Sequence, residues 1–171
     1  MLSKTMEKAI NEQINAEMYS AYLYLSMAAY FDDLNLSGFS NWMKTQFQEE
    51  QFHAQKFFDY VYARGGRVIL EAIAKPESNW DSIKHVFEVT LKHEEHVTSL
   101  INNLVALAHK ENDTATYNFL QWYVNEQVEE ESNVDEVLKK LHLLGEQGPG
   151  IFMLDQQLAT RVFTPPAPAG A

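Results

Sequence analysis

Five side chains of this sequence have the types and spacing to hold metal ions together. Four stretches, written at three- and four-residue steps, give apolar stripes of helical period. They run Ile10, Ile14, Glu17, Ala21, Tyr24, Ala28, Phe31; then Phe39, Met43, Gln46, Glu50, His53, Phe57, Tyr60; then Ile83, Phe87, Thr90, Glu94, Val97, Ile101, Leu104, Ala108; then Leu120, Tyr123, Gln127, Glu130, Val134, Val137, Leu141. Each stripe is broken near its centre by a carboxylate. Glu17, Glu50, Glu94 and Gln127 lie at similar depth, where packed antiparallel helices of equal length share a layer. Glu17, Glu50, Glu94 and Glu130 should therefore meet His53 inside the bundle. Burying an unpaired carboxylate is costly, and like charges raise one another's pKa. No basic residue on these stripes offsets them. Two divalent cations would, and an oxygen-rich donor set with one nitrogen suits iron or manganese.

A second group is open to two readings. Glu49 precedes Glu50, and Glu126 and Glu129 flank Gln127 and Glu130 one turn apart. They could form a third metal position, or belong to an ordinary solvated acidic face. Tyr24 shares the stripe of Glu17, where it could donate an electron, hydrogen-bond a ligand or simply pack; the same holds for Trp122 as packing. His93 and His96 flank Glu94 but fall off its stripe.

The elements that must position these residues follow from punctuation. Among 171 residues there are 7 glycines and 5 prolines, and up to Leu144 only Gly38, Gly65, Gly66 and Pro76 interrupt the chain, far too few turn residues for an all-β fold. Ser3 can cap a helix running to about Asp33. Ser37 and Gly38 open a second, closed by Gly65-Gly66. Asp81 or Ser82 caps a third to about Lys110, and Asp113 or Thr114 a fourth ended by Gly145. Residues 67–80 lack helical period and read as a long crossover between helices two and three. A short fifth helix is expected from Gly150 to about Phe163, and residues 164–171, rich in proline, as a disordered tail. The expectation is one all-α domain over residues 1–163. Absence of cysteine excludes disulfides, thiolate chemistry and iron–sulfur centres. A net charge of −11 is the wrong sign for nucleic acid or an anionic membrane and suits cations. Met1-Leu2-Ser3-Lys4 lacks a signal-peptide stretch and no run approaches a membrane span, so the cytoplasm is the expected location.

The fifth segment raises assembly. Ile151, Phe152, Met153, Leu154, Leu158 and Val162 are many apolar residues for an appendage to a core that four helices already fill. Packing against copies of itself around a closed axis would cover them.

The chain resembles the prokaryotic non-haem ferritins over about residues 1–163, most densely in 11–20, in Gln48-Glu49-Glu50-Gln51-Phe52-His53, and in 118–131, which includes Gln121-Trp122-Tyr123 and Glu126-Gln127-Val128-Glu129-Glu130. The resemblance implies a ferritin-like four-helix bundle with a fifth C-terminal helix lining the four-fold axis of a 24-subunit shell. It implies that Glu17, Glu50 and His53 hold one iron, that Glu50 bridges to a second completed by Glu94 and Glu130, with Gln127 alongside, and that Glu49, Glu126 and Glu129 join Glu130 at a third iron site. Tyr24 matches the tyrosine near the centre. The implied activity is oxidation of Fe(II) by dioxygen or peroxide with storage of ferric mineral. Haem is not expected: the haem-bearing bacterioferritins repeat Glu-x-x-His on the fourth helix and place a methionine where Gln51 stands here. Gln127 in place of a carboxylate lowers the charge of the second iron position, which fits a centre that releases its product. The competing reading is a diiron oxidase of an organic substrate, which would need an apolar pocket beside the metals.

Overall fold

The computed structural model describes residues 1–145 and 148–165. It contains α1 (Lys4–Asp33), α2 (Ser37–Ala63), α3 (Ile83–Lys110), α4 (Thr114–Leu144) and α5 (Pro149–Leu158), and no strand among the described residues. The expected caps are in place where a side-chain oxygen can reach a free N–H of the first turn. Ser3 Oγ accepts from Met6 N at 3.0 Å, Ser82 Oγ from His85 N at 3.1 Å, and Asp113 Oδ1 from Thr116 N at 3.1 Å. The two tight interhelical turns each spend one asparagine in the left-handed region, Asn35 at φ 58° and Asn112 at φ 56°, a conformation asparagine tolerates better than most residues. α1 and α2 therefore run antiparallel, as do α3 and α4.

The crossover is tied to α1 by polar side chains on one face of that helix. Asn11 Nδ2 donates to the Arg67 carbonyl at 3.0 Å, and its Oδ1 accepts from Ile69 N at 2.7 Å. Asn15 reaches the carbonyls of Glu71 and Ala72, Ser26 that of Glu77, and Tyr30 that of Trp80. These bonds satisfy a segment with no ladder of its own.

α2 begins differently. Its cap position, Leu36, offers no side-chain acceptor. Asp155 of α5 takes that role across 117 residues: its Oδ1 accepts from Gly38 N at 2.7 Å and Phe39 N at 3.0 Å. A Cβ on residue 38 would lie 1.7 Å from the Asp155 carbonyl oxygen, so only glycine admits this approach.

Two expectations for the C-terminal segment need correction. The helix stops at Leu158 rather than near Phe163, because the carbonyls of Leu158, Ala159 and Arg161 turn to accept from Asn41 Nδ2 at 3.2, 3.3 and 3.0 Å. Nor do four helices fill the core alone: Ile151, Leu154 and Leu158 are buried against the cluster containing Trp42, Phe39 and Phe87. Phe152, Met153 and Val162 remain exposed, at 67, 71 and 79%. Of the expected disordered tail, residues 166–171 lie outside the described residues.

The bundle interior has two apolar clusters. One, around Tyr24, Phe31, Phe39, Phe87 and Leu141, lies toward α5. The other, around Ile10, Phe57, Ile101, Leu120 and Tyr123, lies toward the opposite end. Between them along each stripe come Glu17, Glu50, Glu94 and Glu130. No described helix is long and apolar enough to cross a membrane.

Candidate metal centre

Glu17, Glu50, His53, Glu94, Gln127 and Glu130 are all buried, none more than 4% exposed. The helical spacing that puts them on the core stripes thus places six polar side chains in the interior at mid-bundle. They fall into two groups that the protein holds in different ways.

The first group comes from α1 and α2. One ligand atom from each of Glu17, Glu50 and His53 lies within 4.8 Å of the others. His53 Nδ1 is 3.5 Å from Glu50 Oε2. The imidazole is steadied by edge contacts with Trp122 and Tyr123, at centroid distances of 5.3 and 5.9 Å, and Tyr123 donates its hydroxyl to the His53 carbonyl at 2.9 Å. Gln13 Nε2 donates to Glu17 Oε1 at 3.0 Å. Glu17 Oε2 and both Glu50 oxygens are buried with no hydrogen-bond donor. Buried carboxylate oxygens without donors become, once ionised, sites of unmet demand for positive charge.

The second group comes from α3 and α4 and is already engaged by the protein. Tyr24 donates its hydroxyl to Glu94 Oε1, and Gln127 Nε2 donates to Glu94 Oε2 at 3.2 Å. Gln46 Nε2 donates to Glu130 Oε2 at 2.8 Å. Among the described residues, Glu94 and Glu130 do not join a cluster as close as that of Glu17, Glu50 and His53.

The electrostatics match this crowding. Burial, then the charge of Glu50, pushes Glu17 well above the ordinary carboxylate range; burial and Glu94 do the same to Glu50. Burial and Glu130 raise Glu94 to about 8. Burial and the neighbouring Glu94 charge keep the Tyr24 hydroxyl protonated, and so a donor, far into the alkaline range. Without cations, this layer holds protons at neutral pH that ordinary glutamates would release.

The third set is looser. Glu49 and Glu126 are half-buried and Glu129 is exposed. Glu49 Oε2 accepts from Arg161 Nη2 at 2.7 Å. Burial and Glu130 lift Glu49 to about 7 against the opposing pull of Arg161, and burial raises Glu126. The three do not form a close cluster of ligand atoms among the described residues.

Several contributors escaped the sequence reading. Gln13 and Gln46 donate to the glutamates from four residues before Glu17 and from across the bundle. Gln46 stands on a core stripe, where a buried amide was itself a signal of a polar partner. Arg161 gave no signal, since its partner is 112 residues away. His93 lies off its stripe, yet its Nε2 is 2.8 Å from Ser20 Oγ and its ring meets the Tyr24 ring edge-on at 6.0 Å. Burial, with the charge of His96, lowers its pKa to about 4, so it is neutral near pH 7. Asp113, in the turn between α3 and α4, is committed to capping α4 and to Arg64, 3.2 Å away.

A model of the ferritin-like domain matches residues 7–144. The bacterial non-heme ferritin of Bacteroides fragilis is 44% identical over 161 residues, which cover 94% of this chain and all of that protein. The bacterial non-heme ferritin of Campylobacter jejuni is 43% identical over 92% of this chain and 95% of its own. An open-pore ferritin from the hyperthermophilic archaeon Archaeoglobus fulgidus superposes with a TM-score of 0.94 at 54% identity, over 95% of this chain and 100% of that one. The chain belongs to the ferritin family, and its all-α four-helix bundle with a short fifth helix has the family fold.

Proposed function

We propose that this protein stores iron, oxidising Fe(II) at the buried carboxylate layer and depositing the ferric product inside a hollow shell of 24 like subunits. Ferrous iron is the substrate and cargo. The observation that carries the reading is the set of three buried carboxylate oxygens, Glu17 Oε2 and both of Glu50, left without donors beside the His53 imidazole. In this reading Glu17 and His53 hold the first ferrous ion and Glu50 bridges it to a second, held by Glu94 and Glu130. Two such ions ~3.5–4 Å apart can each give one electron to the same oxidant molecule, dioxygen or peroxide. The chain supplies geometry and negative charge, while the redox chemistry belongs to the metal. At the second position, Tyr24, Gln127 and Gln46 already engage the ligands, so an ion there is held less firmly and its ferric product leaves more readily. Glu49, Glu126 and Glu129 form, with Glu130, a third and weaker cation position on the way out. No haem is required.

An organic substrate would need an apolar pocket beside the candidate ligands. A cavity of about 400 Å³ between α1, α2 and the crossover has Ile14, Met18, Ala54 and Phe58 on its walls together with Asn11, Asn15, Gln51, Gln55 and Glu71, and none of the candidate ligands lines it.

The activity is tested by adding ferrous iron aerobically and following ferric absorbance. The parent should oxidise iron faster than buffer and keep far more than three irons per chain in solution; failure on both counts overturns the storage reading. The shell is tested by light scattering on the parent and on Phe152→Asp and Met153→Lys, which alter exposed α5 residues. Both should shift the large species toward dimers. Removing α5 entirely is a poorer test, because it also strips Asp155 from α2 and uncovers the core.

A further inference from the structure

Beyond the end of α5 the chain lies along α2, held by the three carbonyl contacts of Asn41 and by Arg161. The Arg161 guanidinium stacks over the Trp42 ring, 4.5 Å from its centroid, and donates to Glu49. Phe163 follows against Phe52, with ring centroids 5.9 Å apart. Arg161 and Glu49 are both about four-fifths buried, their side chains 19 and 18% exposed. Yet Arg161 Nη1 is buried without an acceptor, so the guanidinium leaves one of its donor nitrogens unpaired to stand here.

We propose that Arg161 determines when the third cation position fills: its guanidinium holds Glu49 until a third cation displaces it, and that displacement frees residues 159–163 from α2. This rests on the reading of Glu49, Glu126, Glu129 and Glu130 as a third position. A divalent ion on Glu49 would sit within a few ångströms of the guanidinium, where like charges at half-buried sites repel strongly. The two cations therefore exclude each other. Arg161 thus neutralises Glu49 while the third position is empty, and opposes the entry of a third ion. The unsatisfied Nη1 makes the pair breakable, and the segment it anchors is short enough to move with it.

The experiment uses full-length protein and Zn²⁺, which cannot be oxidised. Binding is followed by calorimetry, and hydrogen exchange of residues 159–163 by mass spectrometry. Arg161→Gln should tighten the third Zn²⁺ roughly tenfold, the lower end of the effect of groups beside a metal ligand, and leave the first two unchanged. Arg161→Lys keeps the charge and should stay near the parent. Asn41→Ala loosens the segment without removing charge and should tighten the third ion by a smaller factor. In the parent, exchange of residues 159–163 should quicken only on the third equivalent. A third Zn²⁺ of equal affinity in the parent and Arg161→Gln, or exchange unchanged on its binding, overturns the role of Arg161 alone. Uptake of only two Zn²⁺ with or without Arg161, indifferent to Glu129→Gln, overturns the third position and this role with it.

Discussion

The two halves of the carboxylate layer are equally buried and oppositely provided for. Glu17 and Glu50 offer three oxygens with no donor, next to an imidazole. Glu94 has a donor on each oxygen, and Glu130 has one from Gln46. Burial alone therefore does not make a strong cation site. What matters is whether the protein has already met the demand of the buried charge. In the proposed function, a layer with one unmet half and one met half would bind the first ion firmly and the second on looser terms, which suits a site that must pass its product on.

The largest effect should come from Glu50, the residue that the proposed function shares between the two ions. Glu50→Ala removes the carboxylate assigned to both ions, and the rapid phase of iron oxidation should fall by more than the ~100-fold upper end found for groups outside the ligand set. His53→Ala and Glu17→Ala should follow closely. Stopped-flow oxidation checks this, and a Glu50→Ala protein as fast as the parent would place the reaction elsewhere.

Next comes a substitution that makes the second half resemble the first. Gln127→Glu replaces a donor to Glu94 by another acceptor and adds a negative charge. The second cation should bind roughly tenfold tighter, and later turnovers should slow as product is retained, a change on the scale of groups adjoining metal ligands. Calorimetry with Zn²⁺ and multi-turnover iron oxidation read the two effects. Unchanged affinity would mean that Gln127 does not face the ion.

Proton binding gives a third comparison, between the filled and the empty layer. Glu94 and Glu49 would release protons near 4.5 in the unfolded chain but keep them up to about 8 and 7 in the fold. Between those values the folded state binds more protons at these two groups than the unfolded one, so their contribution to stability falls as pH rises from about 4.5 to about 8, opposed below about 6.5 by His93, whose lowered value works the other way. Asp113 and Asp32 are shifted the other way, and their contribution is lost only on acidification below the ordinary range. Cations bound as proposed should replace the protons and flatten the slope. Thermal melts in chelator at pH 5.5 and 8 should show the lower midpoint at pH 8, and Zn²⁺ should erase the difference. Glu50→Gln should raise the chelated midpoint, since buried like charges are destabilising; a midpoint that climbs with pH in chelator contradicts this reading of the layer.

Much of this architecture was legible because it is written at helical period. Glycine is scarce and caps stand at Ser3, Ser82 and Asp113, so helix ends fell within a few residues of their true places. The meeting of Glu17, Glu50 and His53 followed from mid-stripe carboxylates at common depth, which also put Glu94 and Glu130 in the interior without bringing them into that close group. What stayed hidden depends on contacts between distant segments. No local pattern shows that Asp155 caps α2 or that Asn41 draws the chain off α5 at Leu158. A short fifth helix was legible, but its packing was not, because no local pattern shows that Ile151, Leu154 and Leu158 complete the core. Which half of the layer has donors was equally invisible, since Tyr24, Gln127 and Gln46 reach carboxylates on other helices.

The smallest effect should come from the one donor in the first half. Gln13 bonds Glu17 Oε1 from one turn earlier on α1, while Oε2 is left free to meet a cation. Gln13→Ala should therefore change first-cation affinity by less than the ~10-fold lower end for groups beside a ligand. Gln13→Glu should matter more, because a further carboxylate in a buried acidic layer raises its neighbours and is itself held protonated. Gln46→Leu provides the contrast. It removes the amide bond to Glu130 Oε2, leaves that oxygen as bare as those of Glu50, and should tighten the second ion several-fold more than Gln13→Ala tightens the first. Zn²⁺ calorimetry on the two variants side by side reads the difference. Equal responses would show that existing donors do not set the ranking of the two positions, and the division of the layer would then have to rest on its carboxylate count alone.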